Sequence, residues 1–335
     1  MTGTNDANLR DGRGREVSYL RLSVTDRCNL SCLYCRPRDR ITFIPHDNIL
    51  RYEELLDLVS LASDMGISKV RLTGGEPFAR RDVMVLVESI RRRHPEMDLR
   101  ITTNATMMAG KAATLAELGV SAVNISLDSL DRSKYARITG HDRLPEVLRA
   151  VEESMAAGLR VKINAVALRG INTDEIAAFT KLAIDNPIDV RFIEFMPVGD
   201  GNLWKPENYI SAKDVLALAS QHVELTPVEN DHITGGPARM YRVEGGRGRF
   251  GVISPLSEHF CDSCNRLRIT SDGKLRTCLF SEREFRLRPL LRNKKLGLPM
   301  VRRVIELALR HKPLGYEVLN PGAVPGARGM SGIGG

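Results

Sequence analysis

From Val17 to Phe195 the chain repeats one unit: a short apolar strand, a turn, then an amphipathic helix. The pattern predicts strands at Tyr19–Val24, Lys69–Thr73, Leu99–Thr103, Ala122–Leu127, Val161–Ala167 and Val190–Phe195. Helices are expected between them, for example at Tyr52–Met65, Asp82–Arg93, Met107–Leu118 and Leu144–Ala157. Gly66, Gly119 and Gly158 stand where a left-handed cap ends a helix, and Pro145 stands near a helix start, where a missing N–H does little harm. Strand–helix–strand repeats build a parallel α/β sheet. It could be doubly wound, or it could be a barrel left incomplete because six units fall short of eight. In both arrangements function gathers at the C-terminal ends of the strands. The distinctive residues fall there: a cysteine cluster follows the first strand and Gly74-Gly75-Glu76 the second. Thr102–Asn104 closes the third strand, Ser126 and Asp128 close the fourth, and Met196 follows the sixth.

After Met196 the rhythm breaks, and Gly199–Gly201 with Pro206 reads as a linker. A helix from Ala212, short Arg- and Gly-rich strands and a second cysteine cluster then suggest a smaller domain. The expected organisation is a disordered arm over 1–15, a main domain over 16–200, a second over 201–319 and a tail over 320–335. The tail holds six glycines and two prolines, so composition alone makes it disordered. No run approaches the ~18 apolar residues of a membrane span, and the polar start lacks the apolar core of a secretory signal. A cytoplasmic location, with no membrane partner, is expected.

Six cysteines cannot staple 335 residues, and they fall into two trios, a grouping that favours metal ligation over disulfides. Cys28-x3-Cys32-x2-Cys35 places three thiolates on one loop. Three ligands on a cubane 4Fe–4S cluster leave one iron open, and that iron can chelate the amino and carboxylate groups of S-adenosylmethionine (SAM). This spacing is the signature of the radical SAM superfamily, and Tyr34 fills the aromatic position before the third cysteine. The competing reading is a zinc site completed by His46. Gly74-Gly75-Glu76-Pro77 is a weak signal alone, but downstream of that loop it resembles the superfamily's segment for the methionine amino group. Cys261-x2-Cys264-x13-Cys278 offers three more thiolates, and by spacing alone it is more often zinc, with His259 as a fourth ligand.

The net charge of +8 is uneven: Arg239 to Lys312 carries 18 Lys/Arg against 7 Asp/Glu. Such a basic third suits a polyanionic ligand such as a nucleotide, although a solvated basic face would look the same.

From Val17 to Gly335 the chain resembles the GTP 3′,8-cyclase family of molybdenum cofactor biosynthesis. The residues carrying the likeness are Arg21 with Thr25–Asn29, Arg71–Pro77, Ser126–Asp131, Lys162–Val166, Arg191–Glu194, Phe260–Arg268 and the terminal Gly334-Gly335. The resemblance implies an incomplete (β/α)6 TIM-type barrel with a smaller C-terminal domain carrying a second iron–sulfur cluster. It implies that Cys28, Cys32 and Cys35 hold a first 4Fe–4S cluster and that Cys261, Cys264 and Cys278 hold the second, whose open iron faces guanine. Tyr34 (through nearby backbone), Gly75, Ser126 and Met196 would contact SAM. Arg21, Arg71, Thr102, Lys162, Arg266 and Arg268 would line the GTP site, and Gly334-Gly335 would reach into it. The implied reaction is a lyase step: a 5′-deoxyadenosyl radical abstracts the ribose 3′ hydrogen, and GTP becomes 3′,8-cyclo-7,8-dihydro-GTP without a side-chain acid or base. Implied partners are a flavodoxin- or ferredoxin-type electron donor and cyclic pyranopterin monophosphate synthase as pathway successor, with no nucleic acid. A homodimer is compatible with the family. The rival readings are a radical SAM enzyme with an auxiliary cluster that modifies a peptide or RNA, and a zinc-ribbon nucleic-acid binder.

Overall fold

The computed structural model describes residues 9–35, 43–199, 204–229, 236–318 and 330–333. Its first six strands are β1 (Tyr19–Ser23), β2 (Lys69–Thr73), β3 (Asp98–Thr103), β4 (Ala122–Ser126), β5 (Arg160–Ala167) and β6 (Asp189–Glu194). They stand side by side in chain order, each parallel to the next. A doubly wound sheet reverses its order at a switch point. This sheet does not, so right-handed crossovers carry every helix to one side and the sheet curls as a barrel. The covering helices are α1 (Tyr52–Asp64), α2 (Val83–Arg93), α3 (Ala112–Glu117), α4 (Arg132–Thr139), α5 (Leu144–Ala156) and α6 (Ile176–Asp185).

The remaining elements are α7 (Ala212–Ser220), β7 (Leu225–Val228), β8 (Arg239–Val243), β9 (Arg249–Ile253), β10 (Arg266–Ile269), β11 (Lys274–Arg276), β12 (Phe285–Arg286), α8 (Arg288–Leu291), α9 (Gly297–Arg310), α10 (Gly315–Val318) and α11 (Met330–Ile333). The C-terminal strands build no separate sheet. β10 pairs parallel to β1 and β9 parallel to β6, giving one sheet of order β12-β11-β10-β1-β2-β3-β4-β5-β6-β9-β8-β7. Among the described residues its two edges do not pair, so the barrel is incomplete.

Strands covered by helices usually read as continuous apolar runs. Here they alternate. Leu20 and Leu22 of β1, Val70 and Leu72 of β2, and Leu99 and Ile101 of β3 join Leu55, Val59, Leu86 and Ile90 of the helices in one core. The intervening Arg21, Arg71, Thr102, Asn124, Lys162 and Arg191 belong to the other face, which lines the barrel cavity. Placing such polar and charged side chains inside a barrel carries a desolvation penalty, so the alternation marks an interior built for something other than stability.

Three expectations shift. The third helix is only Ala112–Glu117, preceded by a turn with Ala105 and Gly110 at positive φ (62° and 72°). An unforeseen α4 is capped at its start by Asp131, whose carboxylate accepts from Lys134 N at 2.8 Å, and ends on Gly140 at φ 82°. The disordered arm is corrected for residues 9–15. Arg10 bridges to Glu16, and Asp11 and Arg15 are buried. Residues 1–8 of that arm lie outside the described residues, as do Gly334 and Gly335 of the tail. Among the described residues no helix is long and apolar enough to cross a membrane.

Candidate active site

One cavity of about 310 Å³ opens at the ends of the barrel strands, and every anticipated site residue that is described lines it. Both cysteine trios border it, with Gly75, Ser126 and Met196 near the front trio and the cations between the two. None of the six cysteines is joined in a disulfide.

The front loop is held by its neighbours' backbones. Gly75 N donates to Thr25 O and Glu76 N to Arg27 O, both at 2.8 Å. A Cβ on Gly75 would fall 2.2 Å from Arg27 O, and one on Gly74 (φ 153°) would fall 2.4 Å from Thr25 O. The glycine pair is therefore required for close approach to the cysteine loop itself, beyond any approach to a ligand. Buried Glu76 fastens this turn to β3, accepting from Phe78 N (3.0 Å), Thr103 Oγ1 (2.8 Å) and Asn104 N (2.7 Å). Tyr34 Oη donates to Asp128 Oδ2 at 2.7 Å, and Val166 N donates to Asp128 Oδ1 at 2.8 Å, so the loop is also tied to β4 and β5. Burial raises Asp128 to about 6 against these two hydrogen bonds. Burial, then Asp128 and the other two cysteines, pushes the Cys32 thiol well up. Three mutually repelling thiolates require a cationic centre, and an iron cluster provides one.

The rear trio sits among cations. Burial alone would raise Cys264, but Arg266 and Lys312 bring it down to about 6. Arg266 Nη2 donates to Cys264 Sγ at 3.5 Å while its guanidinium stacks on Phe260, 4.8 Å from the ring centre. Arg266 is thus engaged with the cysteines. Gly315 N donates to Cys261 Sγ at 3.1 Å.

Neither histidine of the zinc alternatives reaches the cavity. His46 Nε2 meets Arg27 Nη2 at 3.2 Å, and His259 Nδ1 meets Pro255 O at 2.8 Å. Among the described residues no three His, Cys, Asp or Glu side chains converge at the spacing of a single ion. A cubane, with each thiolate on a different iron, sets its ligands further apart.

Between the trios, Arg21, Arg71, Arg100, Lys162, Arg191 and Arg268 line the wall, with Asp128 and Glu194 as the acidic lining residues. Register stacks the cations: Arg21 lies beside Arg71 and Arg268, and Arg71 lies beside Arg100. Burial, followed by neighbouring cations, lowers Arg21 to about 9, Arg191 to about 9 and Lys162 to about 6. Arg71 Nη1 reaches Thr102 Oγ1 at 3.3 Å, and Lys162 Nζ lies 3.9 Å from Asp189 Oδ2. Nε of Arg71, Arg191 and Arg268, Nη2 of Arg191, and Oδ1 of Asn124 and Asn164 are buried without a hydrogen-bond partner. Buried polar atoms are normally satisfied, so this set fits a bound polyanion with donors and acceptors of its own. Arg191 and Asn164 stand within the motifs that carry the family likeness but were given no site role, and Asn124 and Tyr19 were not singled out in the sequence. Their inward position on each strand follows only from the barrel register.

Residues 22–183 match the Radical SAM superfamily and residues 188–318 match Molybdenum Cofactor Synthesis C. A GTP 3′,8-cyclase of Syntrophomonas wolfei is 42% identical over 98% of this chain and all of its own length. A GTP 3′,8-cyclase of Listeria monocytogenes is 41% identical over 92% of each chain. Among solved structures, Streptococcus suis SuiB bound to S-adenosylmethionine superposes with a TM-score of 0.62 at 17% identity, covering 94% of this chain and 77% of that one. That likeness speaks to the fold alone.

Proposed function

The chain belongs to the GTP 3′,8-cyclase family, radical SAM lyases of molybdenum cofactor biosynthesis, and on that premise we propose how its own residues divide the work. Cys28, Cys32 and Cys35 hold a 4Fe–4S cluster, and Gly75, Ser126, Met196 and the backbone near Tyr34 seat SAM against it. When bound, this pair would supply the radical chemistry that converts GTP to 3′,8-cyclo-7,8-dihydro-GTP. Cys261, Cys264 and Cys278 would hold a second 4Fe–4S cluster on the guanine side of the site.

The protein's contribution is to bind and orient. Arg21, Arg71, Lys162, Arg191 and Arg268 meet the triphosphate, and Arg suits that task because its planar fork donates paired hydrogen bonds. Thr102 holds the Arg71 guanidinium. Asn124 and Asn164 offer carbonyl oxygens to hydroxyl or amino groups of the nucleoside. Arg266, already bonded to Cys264, orients the rear thiolates. Fixing the nucleotide between the two trios makes the encounter intramolecular. The single observation carrying this reading is one cavity bordered by both cysteine trios, with buried side-chain atoms of Arg71, Arg191, Arg268, Asn124 and Asn164 left without a hydrogen-bond partner.

Anaerobic incubation with dithionite, SAM and GTP should give 5′-deoxyadenosine and the cyclic nucleotide, identified by mass spectrometry. Cys32→Ser should abolish both products. Cys264→Ser should lose GTP conversion while SAM cleavage persists. Unchanged cyclisation by Cys264→Ser removes the rear cysteines from the reaction.

A further inference from the structure

We propose that Asp11, Arg15 and Lys312 form a clamp that positions the Cys261–Cys264 loop, making the N-terminal segment a working part of the rear cluster site. The inference rests on the reading of the rear cysteines as cluster ligands. Arg15 Nη1 donates to Cys261 O at 2.7 Å, and Lys312 Nζ donates to Cys264 O at 2.6 Å. Two of the three ligand residues thus each take a charged donor on their carbonyl. Arg15 Nη2 also donates to Lys312 O at 3.1 Å, fixing the segment whose Gly315 N–H reaches Cys261 Sγ.

Asp11 holds the two cations in place. Its Oδ2 accepts from Arg15 Nε at 2.6 Å and lies 3.9 Å from Lys312 Nζ, and all three side chains are almost wholly buried. Its Oδ1 accepts from the backbone N–H groups of Arg13 and Arg15, shaping the turn. Gly12 lets this turn lie flat on the end of α9. Gly12 N donates to Leu309 O at 3.1 Å, and a Cβ there would fall 2.1 Å from Arg310 O. One positive charge is left in excess beside the loop, which favours the more negative, reduced form of a cluster held there. Partners behind metal ligands govern both retention and potential.

The test uses full-length, anaerobically reconstituted protein. Wild type should carry eight irons per chain, the content of two cubanes. In Arg15→Gln and Lys312→Met, circular dichroism, the front-cluster signal and SAM cleavage without GTP should match wild type. The rear cluster should lose iron to a chelator at least ~10-fold faster, and its midpoint potential by EPR titration should fall. Lys312→Arg, which keeps a donor for Cys264 O, should restore the chelator rate. Gly12→Ala, which displaces the turn without touching a charge, should speed iron loss as well and guards against either charge variant failing to fold. Eight irons with wild-type chelator rate and potential in the variants overturns the clamp alone. Four irons in wild type overturns the clamp together with the second-cluster reading.

Discussion

Arg268 on β10 lies directly beside Arg21 on β1 in parallel register, so two guanidiniums on neighbouring strands line one cavity. Burial followed by Arg266 lowers Arg268 to about 10, and Arg268 in turn lowers Arg21. Such an arrangement opposes folding and is relieved by an anion. Replacing Arg268 with Met should therefore raise the melting temperature of ligand-free protein while weakening GTP binding by ~1.5–3 kcal/mol, the range for hydrogen bonds to charged groups. Wild type should gain about 2.7 kcal/mol from GTP at a hundred times Kd, and the variant much less. Scanning fluorimetry with and without GTP checks both. A variant that melts earlier than wild type without ligand contradicts this account.

Lys162 makes the same interior pH-sensitive. Burial, then Arg191 and Arg160, lowers it to about 6 in spite of Asp189, so it is largely neutral at pH 7.5. A triphosphate beside it favours the charged form and raises its pKa, so the complex holds more protons than the free protein between the two values. GTP affinity should rise as pH falls from about 8 and level off near 6, with a proton taken up on binding. Calorimetry in buffers of different ionisation enthalpy measures that uptake. Lys162→Met provides the reference, because phosphate titration of GTP is common to both proteins. Identical uptake by the two proteins would remove Lys162 from the site.

Gly75→Ala tests the frame of the front loop. The new methyl meets Arg27 O and Asp26 O, both rigid backbone atoms, so the cysteine loop must move away from β2. Displacements this large in a packed site cost about 1–3 kcal/mol. The expected result is a folded protein with front-cluster iron reduced and SAM cleavage reduced ~10- to 100-fold. Iron analysis beside 5′-deoxyadenosine yield decides it, and full cluster occupancy with normal cleavage would refute the packing argument.

The strands were legible because a short apolar run followed by a 3.6-residue repeat is local to each unit, whereas periodicity alone does not choose between a doubly wound order and a barrel. The two cysteine trios were legible as groups because the members of each are close in sequence. Asn124, Asn164 and Arg191 were not, because each looks like an ordinary strand polar residue until register sets Asn124 beside Lys162 and Asn164 beside Arg191. Residues 9–15 were misread for a different reason. Their composition is that of a floppy arm, and what orders them is a set of contacts between Arg15 and residues nearly the whole chain away. Glu194 is similar: its carboxylate collects Ala212 N, Leu256 N and Ser257 N, joining β6 to two segments that no local pattern connects to it.

The tail sets composition against resemblance. A glycine-rich end is ordinarily disordered, and a four-residue helix such as α11 is marginal by itself because nucleation is unfavourable. Yet Ile333 is buried and Met330 lines the cavity, so packing holds this turn at the site's edge. Gly334 and Gly335 follow directly, and a backbone without side chains can enter a crowded cavity and offer N–H and C=O groups there. Removing the last two residues should leave folding and iron content intact while GTP cyclisation falls at least ~100-fold, the scale of a lost positioning contact. Ile333→Asp should act further upstream. A buried charge drives the whole turn out of its seat, so GTP binding as well as turnover should weaken. Product quantified by mass spectrometry, with iron analysis as the control for folding, separates the two variants. Wild-type turnover in the shortened chain would mean that Met330 and Ile333 only close the cavity's edge.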